Sequence, residues 1–333
     1  MKGALQLALV AVALPLTARA FSIESVASKG CHELVSRRAV AEAGWPSGAD
    51  PQLPSGPNQG LADSLAFTVG RDSDEWLIAL LIGSRDNDLF GASASDFTEL
   101  SALHNADDGQ ENHCLRGPSD DFVAGDATAV DACRAALRAQ AARALGDGDS
   151  LDFGATDFVL VALRDRTTSL TLPRYPLQLG RALHALQDSF THTYRTQNFQ
   201  RITTVFNYAD PATSNAYDAT RDGLEHRSDF DSCAATEGRQ AERVAAATQA
   251  SSELMAALAQ DGTRAERLAR VDAVLAKWVT LEPNCTEDDG WCGSAEPQKK
   301  CSVAGGGPWV ALALAWLLRR RARSTASEVR APC

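Results

Sequence analysis

Residues 176–195, PLQLGRALHALQDSFTHTYR, decide how the chain reads. His184, Asp188 and His192 follow one another at intervals of four, so on a helix they fall within an arc of roughly 80°. Leu179, Ala182, Leu183, Leu186 and Phe190 cluster about half a turn away. One face is therefore apolar enough to bury, while the other carries two imidazoles and a carboxylate. Gly180 sits on the polar side one turn before His184, where a missing side chain leaves room for a neighbour. Pro176 suits the first turn of a helix. Nitrogen and oxygen donors lined up on one face suggest a metal site.

The rest of the chain supplies the setting. Its 333 residues allow one large domain or two small ones, and 44% hydrophobic residues allow a sizeable core. A net charge of −11 and a pI near 5 argue against a nucleic-acid partner held by basic patches. Residues 1–20 read as a secretory leader: Lys2 gives the basic start, residues 5–16 the apolar run, and Ala18-Arg19-Ala20 the small-x-small cleavage site. Cleavage there makes Phe21 the mature N-terminus. Eight cysteines, at 31, 114, 133, 233, 285, 292, 301 and 333, are then read as disulfide partners in an oxidising compartment. No CxxC pair favours a thiolate zinc finger. Setting aside Cys301 and Cys333 leaves six cysteines and 15 pairings, of which Cys114/Cys133 and Cys285/Cys292 are plausible by proximity.

Taken in order, Cys31-His32-Glu33 lead into a short helical pattern, and 44–63 reads as a loop. Asp74 is a candidate N-cap for DEWLIALLIGS, an apolar helix expected to end near Gly83, with Asp86 and Asp88 in the acidic loop beyond. His104 closes a second short apolar pattern before the polar loop 105–121. Asp126 is expected to cap a helix over 127–145. TDFVLVAL, 156–163, fits strand or helix by periodicity alone. Residues 205–235 read largely as loop, and amphipathic helices follow at about 237–259 and 263–279. The expectation is an all-α, single multi-helix domain over 21–280.

From 281 the composition becomes that of a tether, polar and containing Cys, Pro and Asp, to 302. Residues 303–318, VAGGGPWVALALAWLL, form an uncharged apolar run followed by Arg319-Arg320-Arg321-Ala322-Arg323. The segment 303–333 resembles the C-terminal sorting tail of myxobacterial surface proteins, with Cys301 in the place of that tail's processing cysteine. The resemblance implies sorting and processing machinery as a partner. It also implies a secreted protein anchored through its C-terminal tail at the cell surface or outer membrane.

The stretch GRALHALQDSFTH, and the order of the other histidine and aspartate motifs, resemble the zinc-dependent phospholipase C family and its related single-strand nucleases. That resemblance implies an all-helical fold holding three zinc ions at the bottom of a cleft. The family's first ligand is the mature N-terminal residue, through its amino group and carbonyl oxygen, a place Phe21 would take. His32 matches the next ligand, Asp88 (or Asp86) the aspartate after it, and His104 the following histidine. His184 and Asp188 match the central HxxxD, whose carboxylate bridges two zincs. His192 departs from the pattern, coming four residues after Asp188 rather than about six and without a proline. His226 matches the last histidine, paired with Asp229, or alternatively Asp231, in place of the family's i+4 carboxylate. His113 has no counterpart and reads as a solvated residue of its polar loop.

The resemblance implies hydrolysis of a phosphodiester, most suitably a phospholipid head-group bond. Zinc would activate water and polarise a phosphoryl oxygen, and Asp88 would serve as part ligand, part base. Three other readings stand beside it. One is a nuclease of the same superfamily, which the acidic pI and 6% aromatic content disfavour. The second is a non-catalytic surface protein with structural zinc. The third is a disulfide-linked helical secreted domain with scattered histidines.

Overall fold

Helices supply most of the structure, as the apolar spacing implies. The computed structural model describes residues 22–24, 30–44, 58–69, 73–94, 96, 100, 109–117, 120, 122–164, 166–207, 218 and 230–282. The leader, the tether beyond 282 with Cys285 and Cys292, and the tail at 303–333 lie outside these. Among the described residues the order is α1 (Cys31–Ala43), α2 (Gln59–Ser64), α3 (Glu75–Leu89), a 3-10 turn (Gln110–His113) and α4 (Phe122–Leu145). There follow β1 (Thr156–Ala162), β2 (Thr167–Pro173), α5 (Arg174–Thr191), β3 (Thr193–Arg195), β4 (Ile202–Val205), α6 (Gly238–Ala259) and α7 (Arg264–Trp278). The fold is helix-rich, compatible with the mostly-α expectation; among the described residues the strands form two small antiparallel sheets, β1–β2 and β3–β4. The undecided stretch at 156–163 is thus a strand. Its inward Val159 and Val161 join the core while Phe158 and Leu160 face out.

Asp74 caps α3 as expected, its carboxylate accepting from Leu77 N–H at 2.7 Å. The helix does not stop at Gly83, however. It runs on to Leu89, and from Ile78 to Leu89 every side chain is buried. Gly83 is a place of contact rather than a terminator. A Cβ on Gly83 would lie 3.1 Å from Gly180 Cα and against the Leu177 carbonyl. One on Gly180 would lie 2.9 Å from Gly83 Cα and 2.8 Å from Ser84 N. The backbones of α3 and α5 therefore touch, and Gly180 does leave room for a neighbour. Asp86 and Asp88 consequently belong to the last helical turn of α3, not to a loop.

All of α5 is buried except Arg174 and Arg181. Its apolar face, with Leu179, Leu183, Leu186 and Phe190, enters the core shared with α1, α3, α4 and α6. Burying each such side chain contributes about 2 kcal/mol. The helix ends at Thr191, short of His192. The terminal carbonyls are claimed by side chains: Arg195 Nε and Nη2 donate to Ser189 O at 2.9 and 2.8 Å, and Arg243 donates to Phe190 O. Two cations at a helix C-terminus also suit the direction of its dipole.

Two further expectations shift. α4 starts at Phe122 rather than 127, so Asp126 lies inside it. Its carboxylate accepts from Val205 N–H at 2.9 Å instead of capping, which ties α4 to β4. The expected helices at 237–259 and 263–279 appear as α6 and α7, the second opened by a Thr263–Glu266 capping box. Disulfides join Cys114 to Cys133, as proximity suggests, and Cys31 to Cys233, 202 residues apart.

The helix contact is open to a direct test. Gly180→Ala should cost about 3 kcal/mol or more, because backbone atoms rather than a movable side chain occupy the space. Thermal unfolding should then come roughly 6–12 °C lower. Gly60→Ala in α2, where nothing lies within 4 Å of the new methyl, should be neutral or stabilising by about 0.5 kcal/mol.

Candidate metal centre

Three segments bring four ligand-bearing side chains together. The last turn of α3 supplies Asp88, the 3-10 turn supplies His113, and one face of α5 supplies His184 and Asp188. All four are buried, their ligand atoms lie within 4.8 Å of one another, and the cluster could hold a metal ion. Asp188 Oδ2 lies 3.0 Å from both His113 Nδ1 and His184 Nε2. Asp88 Oδ1 stands slightly further off, 3.7 Å from His113 Nδ1 and 3.6 Å from His184 Nε2.

The imidazoles are held by groups behind them. His184 Nδ1 lies 2.9 Å from Ser84 O, and a carbonyl only accepts, so this nitrogen carries the hydrogen and Nε2 presents its lone pair to the cluster. The same reasoning applies to His32. Gln187 Nε2 donates to Ser36 and Ser251, which leaves Oε1 to accept from His32 Nδ1 at 2.8 Å. His32 Nε2 is then directed at the second oxygen of Asp188, Oδ1, 3.1 Å away. The rings of His32 and His184 stack at 4.2 Å. Asp188 thus offers one oxygen to His113 and His184 and the other to His32. Imidazoles oriented by an outer hydrogen bond are the usual support of metal ligands.

Charge tests the fit. With neutral imidazoles the cluster carries two carboxylates, and lone pairs on His184 Nε2 and Asp188 Oδ2 face each other at 3.0 Å. A divalent cation cancels both charges and takes up the opposed lone pairs; without one, protons must do so. Burial opposes protonation of His184, but Asp188 and Asp88, with hydrogen bonds to Asp188 and Ser84, overcome it and raise its pKa to about 9. Burial alone would raise Asp188. The charges of His184, His192 and His32, and the hydrogen bond from His113, instead hold it well below the ordinary carboxylate range.

The expected ligands divide into three groups. Asp88, His184 and Asp188 meet in the cluster, with His32 against the far oxygen of Asp188. His192 sits just past the end of α5 rather than on its helical face. Its Nδ1 donates to His113 O and lies 4.0 Å from Asp188 Oδ2. Asp86 turns away to Arg181, whose Nε and Nη2 donate to it at 2.8 and 2.6 Å. Phe21, His104, His226 and Asp229 lie outside the described residues. Asp231 is buried, and its carbonyl accepts from Ser22 N–H at 3.3 Å.

His113 corrects the reading of its loop. It is buried at the centre of the cluster rather than solvated. A signal was present: Cys114, its neighbour, pairs with Cys133 on α4, and that bond tethers the end of a polar loop to the core. Gln187 was also missed, because a glutamine within an amphipathic pattern carries no mark of its partners.

Searches against protein-family models, curated proteins and solved structures match nothing to this chain.

The raised His184 pKa has two consequences. In metal-free protein the group contributes stability that is complete below its ordinary 6.5 and is lost as pH rises through about 9. The melting temperature of stripped protein should therefore fall across that window, and His184→Gln should remove this part of the pH dependence. Uptake of a divalent cation at pH 7 should release about one proton from the same imidazole. Calorimetry in two buffers of different ionisation enthalpy measures that release, and its absence would count against His184 as a ligand.

Proposed function

We propose that the chain is a metal-dependent hydrolase of phosphodiester bonds, most suitably a phospholipase C-like enzyme that uses zinc. The observation that carries this reading is Asp188, a fully buried carboxylate whose two oxygens face different histidines. Such an aspartate can serve more than one cation, as the multi-zinc arrangement requires. Nitrogen and oxygen donors without thiolates suit zinc in a reactive rather than a purely structural setting. The bound cations supply Lewis acidity to a phosphoryl oxygen.

Exposure suggests how the protein groups divide the work. The His184 and Asp188 side chains are wholly buried, whereas that of Asp88 is 10% exposed, so the cluster opens on the Asp88 side. Asp88 Oδ1 is placed to take the proton of the attacking water while Asp188, His113 and His184 hold position. The water oxygen bonds to phosphorus as the P–O bond to the departing alcohol breaks, and the proton taken up by Asp88 passes to that alcohol. The products are a phosphomonoester and, from a phospholipid, a diacylglycerol.

Secretion through the leader at 1–20 and anchoring through the tail at 303–333 belong to the same proposal. Two disulfides are compatible with an oxidising destination. The Ser22 carbonyl accepts from Cys31 N–H, so the backbone at Ser22 runs beside the residue that precedes His32. The depth of the cluster favours one alternative, a structural metal without turnover.

Metal analysis of the full chain, followed by assays against phosphatidylcholine, single-stranded DNA and a chromogenic phosphodiester, decides among these. Turnover of phosphatidylcholine with about three zincs per chain is the expected result. Metal without turnover on any substrate would leave the structural reading, and preference for DNA the nuclease. Asp88→Asn should lower kcat at least about 100-fold, whereas Asp188→Asn should lose metal as well. Inserting one alanine between Ala20 and Phe21 should impair zinc binding if the new amino terminus is a ligand.

A further inference from the structure

The β1–β2 hairpin has an outer face that the proposed chemistry does not use. Its outward positions are Thr156, Phe158 and Leu160 on β1 and Thr167, Ser169 and Thr171 on β2, with Phe158 opposite Thr171 and Leu160 opposite Ser169. None is charged, in a chain where charged residues make up 23%. Phe158 is 78% exposed and Leu160 54%. A third exposed apolar residue, Phe90, adjoins them at 53%. It ends α3 two residues after Asp88 in the left-handed conformation, φ 44°, a costly place for an aromatic L-residue. Gly91, at φ 88°, brings this turn against the hairpin. A Cβ there would come within 2.5 Å of Leu160 Cβ, and Thr167 Oγ1 donates to Gly91 O. A polar chain fixes the hairpin relative to the metal centre as well: Asp157 accepts from Gln178, Gln178 from Arg181, and Arg181 holds Asp86.

We infer that Phe90, Phe158 and Leu160 dock the protein on a zwitterionic lipid surface beside the metal centre. The inference rests on the phospholipase reading and extends it: the substrate would be met in an aggregate rather than as a free molecule. Size and charge select this occupant. The three side chains expose about 300–400 Å² of apolar surface, judged from the size of such groups, well short of the roughly 800 Å² per partner of a stable protein interface. Aromatic and aliphatic tips with an uncharged hydroxyl rim match the boundary between head groups and acyl chains. The outward strand positions carry no cation, only Arg164 and Arg166 stand at the hairpin turn beside them, and with a net charge of −11 zwitterionic lipid is favoured over anionic lipid.

The test uses the full chain and phosphatidylcholine vesicles. Because the apolar run at 303–318 can bind lipid by itself, the readout must be local. Phe158→Trp keeps an aromatic at the tip and should be quenched by brominated phosphatidylcholine beyond the quenching of the parent's own tryptophans. That gain should persist at about 1 M salt and should not grow when phosphatidylserine is added. In the same protein Leu160→Ser should reduce the gain at least about tenfold. Phe90→Gly should reduce it too, while raising the melting temperature by relieving the left-handed strain. A vesicle-bound Phe158→Trp protein whose new tryptophan is not quenched would overturn the inference. So would concentration-dependent dimerisation abolished by Leu160→Ser. Hydrolysis of a soluble phosphodiester separates the two claims. If it is absent while quenching is seen, docking stands and the hydrolase reading falls; if Leu160→Ser spares it but slows turnover of vesicles, both stand.

Discussion

The contact on which the structure depends is the one between the backbones of α3 and α5 at Gly83 and Gly180. Glycine inside a helix costs about 0.5–1 kcal/mol relative to alanine, so two facing glycines are a standing expense that the contact must offset. What the contact provides is proximity. It puts Ser84 O within 2.9 Å of His184 Nδ1 and so fixes which nitrogen of that ring faces the cluster. It also carries the last turn of α3, with Asp88, alongside the turn of α5 that bears His184 and Asp188. A pair of helices separated by side chains would place these groups on opposite walls of a gap.

Once the helices touch, His184, Gln187 and Asp188 on α5 are wholly buried, and their polar atoms must find partners within the protein. Asp188 shows how this is done. Its oxygens meet imidazoles whose other nitrogens are anchored in turn, on Ser84 O for His184 and on Gln187 for His32. Gln187 reaches Ser36 on α1 and Ser251 on α6, so the orientation of His32 depends on two further helices. His192 belongs to the same scheme, since its ring donates to the backbone that carries His113. The end of α5 follows the same logic with the opposite sign. Burial pushes the pKa of Arg195 down, and the nearby Arg243 adds to that. Yet both guanidiniums find carbonyl oxygens at the helix terminus and, in Arg195, at Phe199 and Trp278.

The parts of this arrangement legible in the sequence are those that one helix carries alone. The spacing of His184 and Asp188, the apolar face opposite them, the cap at Asp74 and the room left by Gly180 are local patterns, and local geometry suffices to read them. Helix ends were harder. Gly83 looks like a terminator because glycine usually stops a helix, and only the approach of α5 shows that it serves packing instead. Asp126 looks like a cap because its partner, Val205 N–H, lies 79 positions away. His113 was legible only indirectly: the Cys114–Cys133 pairing ties the end of its polar loop to α4, but the contacts of His113 with Asp188 and His184 on α5 leave no mark in the loop itself. The hairpin of β1 and β2 escaped because alternation over seven residues per strand is a weak signal when the outer face is itself apolar at Phe158 and Leu160.

Those outward residues and the cluster share one short segment. Within five residues of α3 and its cap the chain carries Asp86, which anchors Arg181, Asp88, which faces the histidines, and Phe90, which faces outward in a left-handed turn. Each makes a different demand on the backbone. Asp86 and Asp88 need helical geometry to reach Arg181 and the cluster, whereas the left-handed turn at Phe90 ends that geometry at once. A gentler exit would relieve Phe90, but it would also move the Leu160 contact and the Thr167 hydrogen bond at Gly91. The abrupt stop therefore lets one helix end serve a buried cluster on one side and an exposed apolar face on the other. Strain at a single residue is the cost of keeping the two adjacent.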